Sequence, residues 1–129
     1  MLNTNAFDYI NVLDRAADAT WLRNEAIANN LANATTPGYK RQDVAFESEL
    51  RKALGYDLCK PMDEKVAAFQ NKRFSPKAYT DMQGFSYRLD GNNVDVDNEN
   101  VYLAENQLKY QGLINAMTSE FQNLKSVMK

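Results

Sequence analysis

The sequence holds no histidine and a single cysteine, Cys59, in 129 residues. Those two scarcities remove most metal and nucleophile chemistry: no Cys/His metal site, no Ser–His or Cys–His pair and no intrachain disulfide can be assembled. Cys59 beside Lys60 has at most a slightly activated thiol and reads better as a small side chain in a loop. Long apolar runs are also missing. Nothing approaches the roughly 20 residues needed to span a bilayer, so no direct membrane span is expected. The opening MLNTNAFDYINVLDR lacks the basic start and unbroken apolar stretch of a secretory signal. The expectation is a chain that stays in the cytoplasm or leaves it by a route that reads no such signal. Excess positive charge is absent as well: a net charge of −2 and a pI near 5.1 leave no basic footprint for nucleic acid. The five glycines are scattered singly, which rules out a glycine-rich phosphate loop. Carboxylate pairs do occur, Glu47/Glu49 and Asp95/Asp97, but residues two apart share a face on a strand and not on a helix. Neither pair has an evident enclosing pocket. The chain is therefore not expected to be an enzyme, and no cofactor is expected.

What is present sits at the two ends. The length implies one domain, and 44% hydrophobic with 25% charged residues is ordinary. Mean hydropathy is still polar, at −0.59, because Asn and Gln are abundant. Ile10, Leu13, Ala17, Ile27, Leu31 and Ala34 follow a three–four spacing near the start, and Leu103, Tyr110, Ile114, Met117, Phe121, Leu124 and Met128 follow another near the end. That spacing averages about 3.5 residues, the period that keeps one seam of a helix against a partner helix. The pattern predicts a mainly α chain whose two long terminal helices pair as an antiparallel coiled-coil hairpin. A terminal helical domain of residues 1–36 and 97–129 would then flank a short, partly irregular insert of residues 37–96.

The first helix is expected from about Asn5 to Ala34, capped by Asn3, Thr4 or Asn5 and stopped at Thr35-Thr36-Pro37-Gly38. It would be about 45 Å long. Thr20 and Asn24 interrupt its seam, and Trp21 and Leu22 lie off it. Two readings stand for the latter pair: scatter in an ordinary amphipathic helix, or a second neighbour on another face.

In the insert, Phe46, Leu50 and Leu54 recur every four residues and predict a short helix stopped at Gly55. Lys40 and Arg41 are read as solvated charges balanced by Asp43, Glu47 and Glu49. Residues 55–84 carry no sustained period, apart from a turn or two of helix within 62–70, and read as a long loop that orders only against neighbours. Around Asp90-Gly91, the alternation of Phe85, Tyr87 and Leu89, then Val94 and Val96, is compatible with a small β-hairpin. The acidic run DGNNVDVDNE fails the calcium-loop pattern, having no Gly at the sixth position and no Glu at the twelfth. Its simpler role is to cap the last helix through Asp97 or Asn98. That helix is expected from about Asn98 to Met128, with Gly112 its weak point or a place of close backbone approach. Neutral Gln107, Gln111, Asn115, Gln122 and Asn123 suit burial among subunits better than free solvation.

The join ANNLANATTPGYKRQDVAFE, residues 28–47, resembles the N-terminal signature of bacterial flagellar rod, hook and hook-associated proteins, through Asn29, Asn30, Leu31, Asn33, Thr36, Pro37, Gly38, Tyr39 and Lys40. The segment from Asp90 to the end is similar to the C-terminal segment of rod proteins, through Asp90, Gly91, Asn92, Asn93, Val94, Asp95, Glu99, Asn106 and Tyr110. The two together cover a little under half of the chain, and their pairing at opposite ends is more specific than either alone. Residues 37–96 leave no room for the β domains that distal rod and hook relatives insert, so the likeness is to the short proximal rod subunits. DVAFESELRKAL and LKSVMK look more like the B type than the C type, which remains the alternative. A cytoplasmic coiled-coil adaptor of flagellar export is the other alternative.

The resemblance implies a structural subunit, exported unfolded by the flagellar type III apparatus, that polymerises in the periplasm and transmits torque. The partners it implies are other copies, other rod proteins, the rod–ring adaptor, the membrane ring and the export gate. The helix-pairing and assembly interface is expected at Ile10, Leu13, Ala17, Trp21, Ile27, Leu31, Leu103, Tyr110, Ile114, Met117, Phe121 and Leu124. The join is expected at Asn29, Asn30, Asn33, Thr36, Pro37, Gly38 and Tyr39, with the asparagine amides bonding both to their own turn and to neighbours. Exposed Leu, Ile, Phe and Trp would be covered only in the assembly, so folding and assembly are expected to be coupled.

Overall fold

A computed structural model of the chain describes residues 7–55, 58–69, 74–81, 86 and 88–128. Among these the order is α1 (Asp8–Ala32), β1 (Gln42–Val44), α2 (Phe46–Leu54), α3 (Met62–Phe69), β2 (Ala78–Thr80) and α4 (Val96–Val127). The chain is mainly α, as the patterning predicts, and a two-stranded antiparallel sheet lies between the long helices.

The two long helices pack together and run antiparallel. As α1 is followed from its C-terminal end backwards, its partners on α4 advance: Asn30 meets Glu99, Thr20 meets Asn106, and Leu13 and Ala16 share a groove wall with Leu113. The break in the seam at Thr20 has a physical reason. Its hydroxyl donates back to the Ala17 carbonyl at 2.8 Å, and its own carbonyl accepts from the buried Asn106 amide at 2.8 Å. A polar residue inside a helix pair fixes register at some cost in stability.

A second flank of α1 carries Ala16, Ala19 and Ala26, which join Val44 and Phe46 in the core, with Leu22, Leu50, Phe74 and Leu113 packed against them. Alanine there lets the insert come close. Phe69 is fully buried beneath Phe74, ring centroids 5.6 Å apart, and Phe74 meets Phe46 edge-on at 6.2 Å. Rings at such separations add to their area burial. Leu22 thus has a second neighbour, whereas Trp21 remains 64% exposed.

Several local expectations shift. The capping residues Asn3, Thr4 and Asn5 lie outside the described residues, and the described part of the first helix opens at Asp8 and stops at Ala32. The last helix starts at Val96, two residues before Asn98, because Asp95 is the cap: its Oδ1 accepts from the N–H groups of Asp97 at 3.0 Å and Asn98 at 3.4 Å. The strands are not the arms around Asp90-Gly91. Phe85 and Tyr87 lie outside the described residues, Leu89 is exposed in a turn, and Val96 is helical. Instead β1 pairs with β2, Gln42 opposite Thr80, Asp43 opposite Tyr79 and Val44 opposite Ala78. Three-residue strands are too short for alternation to register in a sequence. Within 55–84 the turn or two of helix expected in 62–70 is α3, and β2 is the element that was not expected.

Candidate assembly site where the chain ends meet

A helix leaves its last carbonyls without intrahelical partners. At the end of α1 the Asn33 N–H still reaches the Asn29 carbonyl at 3.1 Å, and the carbonyls of Asn33 and Thr36 accept from the Thr36 and Tyr39 N–H groups at 3.0 and 3.3 Å. The oxygens of Asn33, Ala34 and Thr36 are all met as well by one side chain from far along the sequence. The Asn92 amide nitrogen stands 2.9, 3.1 and 2.9 Å from the oxygens of Asn33, Ala34 and Thr36, while its oxygen accepts from the Val94 N–H at 2.7 Å. Arg88 adds a second donor to the Ala34 oxygen at 2.8 Å.

Beside this, two glycine turns lie against each other. Gly38 (φ 72°) donates its N–H to the Asp90 carbonyl at 2.8 Å, and Lys40 Nζ donates to the Gly91 carbonyl at 2.6 Å. Gly91 (φ 78°) is so near that a Cβ on it would stand 3.6 Å from the Gly38 Cα. Both backbones occupy the left-handed region that side chains avoid.

The second half of the junction is charged and buried. Asn30, with no exposed surface, clamps the backbone entering β1: its oxygen accepts from the Gln42 N–H at 2.9 Å and the Tyr39 hydroxyl at 3.2 Å, and its nitrogen donates to the Gln42 carbonyl at 2.7 Å. The remaining amide hydrogen goes to Glu99 Oε2 at 3.1 Å. Glu99 is buried at the start of α4, and its other oxygen pairs with Arg41 Nε. Arg41 also reaches Asp81 at 2.8 Å and Asp43 at 3.0 Å and lies 5.1 Å over the Tyr102 ring. Burial works against its charge, yet the hydrogen bond and charge of Glu99, followed by those of Asp43, outweigh it and hold the guanidinium pKa above its ordinary value. Burial, and then the Glu99 charge, raise the Tyr39 hydroxyl pKa. Asn93 completes the set, accepting from the Arg41 N–H at 2.6 Å and donating to the Asp81 carbonyl at 3.1 Å. A buried carboxylate is tolerable only when paired and hydrogen-bonded, as Glu99 is.

The asparagines of the join divide their roles. Asn30 bonds across to β1 and α4, Asn33 bonds its own turn through the Asn29 carbonyl at 2.8 Å, and Asn29 is exposed. The Thr36 hydroxyl donates to Asn33 at 3.2 Å, Pro37 and Gly38 are exposed, and Tyr39 is half-buried. Of the seam residues, Ile10, Ala17 and Ile27 are buried; Leu13, Leu31, Leu103, Ile114, Met117 and Leu124 are half-buried; Trp21, Tyr110 and Phe121 are exposed. The reading of Arg41 as a solvated charge is corrected. It is a half-buried hub whose partner Asp43 was anticipated and whose partners Glu99 and Asp81 were not. Asn92, Asn93 and Glu99 had a sequence signal, since they belong to the second motif, but nothing local tied them to the first. The arrangement locks chain ends together; it holds no evident reacting group. Among the described residues no cluster of three or more His, Cys, Asp or Glu could hold a metal ion. No described helix is long and apolar enough to cross a membrane.

Comparison with known proteins gives consistent matches. Residues 10–40 match the family described as "Flagella basal body rod protein". The chain is 35% identical over 123 residues to the flagellar basal body rod protein FlgB of Borreliella burgdorferi, covering 89% of this chain and 91% of that one. It is 35% identical over 118 residues to FlgB of Bacillus subtilis, with coverage of 90% and 89%. To FlgB of Escherichia coli it is 34% identical over 116 residues, with 83% of each covered.

Proposed function

The chain belongs to the flagellar basal body rod proteins of the FlgB kind and is a structural subunit of the basal body rod rather than an enzyme; from that premise we propose how it builds the rod. Its terminal segments, residues 1–36 and 97–129, which carry α1 and most of α4, form the layer that polymerises, and the insert, residues 37–96, braces α1 from outside. The observation that carries this is the mismatch between a locked junction and uncovered helices. Across the 32 residues of α4 the buried side chains are Glu99 and Asn106, both polar. Val101, Leu108, Phe121, Val127 and Met128 stand 63, 75, 49, 82 and 84% exposed. Burying one such side chain fully is worth about 1.5–3 kcal/mol, so several of them covered together supply a strong drive to associate.

In this reading the junction gives each copy a fixed exit angle from α1, and neighbours cover α4. Torque passes along the stacked helices. Other rod proteins, the rod–ring adaptor, the membrane ring and the export gate are the partners the reading names. Export without a cleaved signal, to a periplasmic position in the basal body, belongs to the same proposal.

The chain should therefore co-purify with hook–basal bodies. Gly38→Val, which forces a branched side chain into a positive-φ turn costing about 1–3 kcal/mol, should still be exported but should fail to assemble. Absence of the wild-type chain from hook–basal bodies, or normal swimming of the Gly38→Val strain, overturns the reading.

A further inference from the structure

Two surface features on opposite sides of α1 fit each other. One is a ridge. Trp21 stands 64% exposed, with Asp14, Asp18 and Glu25, all exposed, at helical spacing around it. The other is a groove where α1, α2 and α4 converge, about 360 Å³ in volume, walled by Val12, Leu13, Leu50 and Leu113 and open over Gly112. Past Leu50 it continues along α2 to Leu54 and Met62, where Arg51 and Lys65 edge it. Its volume falls within the range of clefts that hold ligands, about 300–1,000 Å³.

Glu47 lines both stretches of the groove but is already paired with Lys109 and Arg23, so the charges left open are complementary. Neither the three acids of the ridge nor Arg51 and Lys65 form an ion pair among the described residues. At about 100° per residue, Trp21 lies roughly 140° around α1 from Ala16, which lines the groove. A chain therefore cannot place its own ridge in its own groove.

We propose that Trp21 and its acidic ridge dock into the α2–α4 groove of a second copy of this chain. The contact is head-to-tail: each copy offers a ridge to one neighbour and a groove to the next. Such a contact generates a ring or an open helix according to its rotation, and not a closed dimer. Trp is the side chain best suited to anchor an interface through one deep insertion. Opposite charges at the rim set orientation and encounter rate more than affinity. This inference rests on the rod reading, of which it specifies one contact.

The test is photo-crosslinking in cells from position 21, with Trp21 replaced by a photoreactive aromatic residue and hook–basal bodies then isolated. The expected product is a dimer of this chain with the adduct in the groove of the other copy, at Val12, Leu13 or Leu113 or between Leu50 and Met62. An adduct on a different protein, an adduct outside the groove of the second copy, or no adduct from chains present in basal bodies overturns it. Absence of the wild-type chain from basal bodies would instead sink the rod reading. Charge reversal supplies a second arm. Asp18→Lys and Arg51→Glu should each lower incorporation several-fold, and the pair should recover it. A double variant no better than either single one counts against the contact.

Discussion

Asn92 offers two amide hydrogens to three carbonyls at the end of α1, and nothing smaller or differently charged can do the same. Asn92→Ala should destabilise the fold by about 1–3 kcal/mol, since each hydrogen bond lost is worth about 0.5–1.5 kcal/mol and the Asn33, Ala34 and Thr36 oxygens each keep one donor, in the Thr36 N–H, Arg88 and the Tyr39 N–H. Asn92→Asp should be worse than Ala, because it turns a carboxylate toward three carbonyl oxygens. Helical circular dichroism through a thermal melt, in a stabilising osmolyte, ranks the variants; an Asp variant as stable as wild type would mean that only the bond to the Val94 N–H matters. Legibility at this scale was partial. That the join ends α1 is written in Thr35-Thr36-Pro37-Gly38, and that Asn92 is special is written in the second motif. That one residue caps the other's helix depends on a separation of 59 positions in sequence that no local pattern spans.

Ion pairs at the surface also join one element to another. Lys109 on α4 reaches Glu47 on α2 at 2.6 Å and Glu105 on its own helix at 2.8 Å. Hydrogen bonds to Glu105 and Glu47 raise the Lys109 pKa from 10.5. Burial pushes Glu47 up, but the Lys109 hydrogen bond, the Glu47 backbone hydrogen bond and the charges of Arg23 and Lys109 together outweigh it and the Glu47 pKa falls below 4.5. The carboxylate contribution is therefore present above its unfolded pKa and lost as pH falls through the lower folded value. The lysine contribution is present below its unfolded pKa and lost as pH rises through the higher folded one. The difference in melting midpoint between wild type and Lys109→Met should be level between about pH 5 and pH 10 and should shrink beyond both ends. Glu47 is about half exposed, so the whole effect stays under about 1 kcal/mol. A difference that keeps growing below pH 4 would exclude the pair as its source. Long helices were legible because their seams repeat over several turns. The turn or two of helix expected within 62–70 is α3, whereas the strands were not legible, because Ala78–Thr80 gains its ladder hydrogen bonds only from Gln42–Val44.

At the scale of the whole molecule, a hairpin of long helices with a polar-lined seam and open apolar flanks buries too little to stand firmly alone. Dilute monomer should show incomplete helix and a broad melt by circular dichroism, with helix rising as concentration rises. Full helix with a sharp, concentration-independent melt would contradict this. The sequence by itself determined that the ends are helical, that they pair, that catalysis and metal binding are disfavoured, and that the two motifs belong to one family. It could do so because periodicity, residue absences and short motifs are local properties. Only the tertiary structure decided that Arg41, Glu99 and Asn30 form one buried junction, that Asn92 closes the end of α1, and that Trp21 is left outside. Those outcomes depend on which distant segments share a boundary. Burial then selects which polar groups must be paired, and that selection cannot be made until the chain has closed on itself.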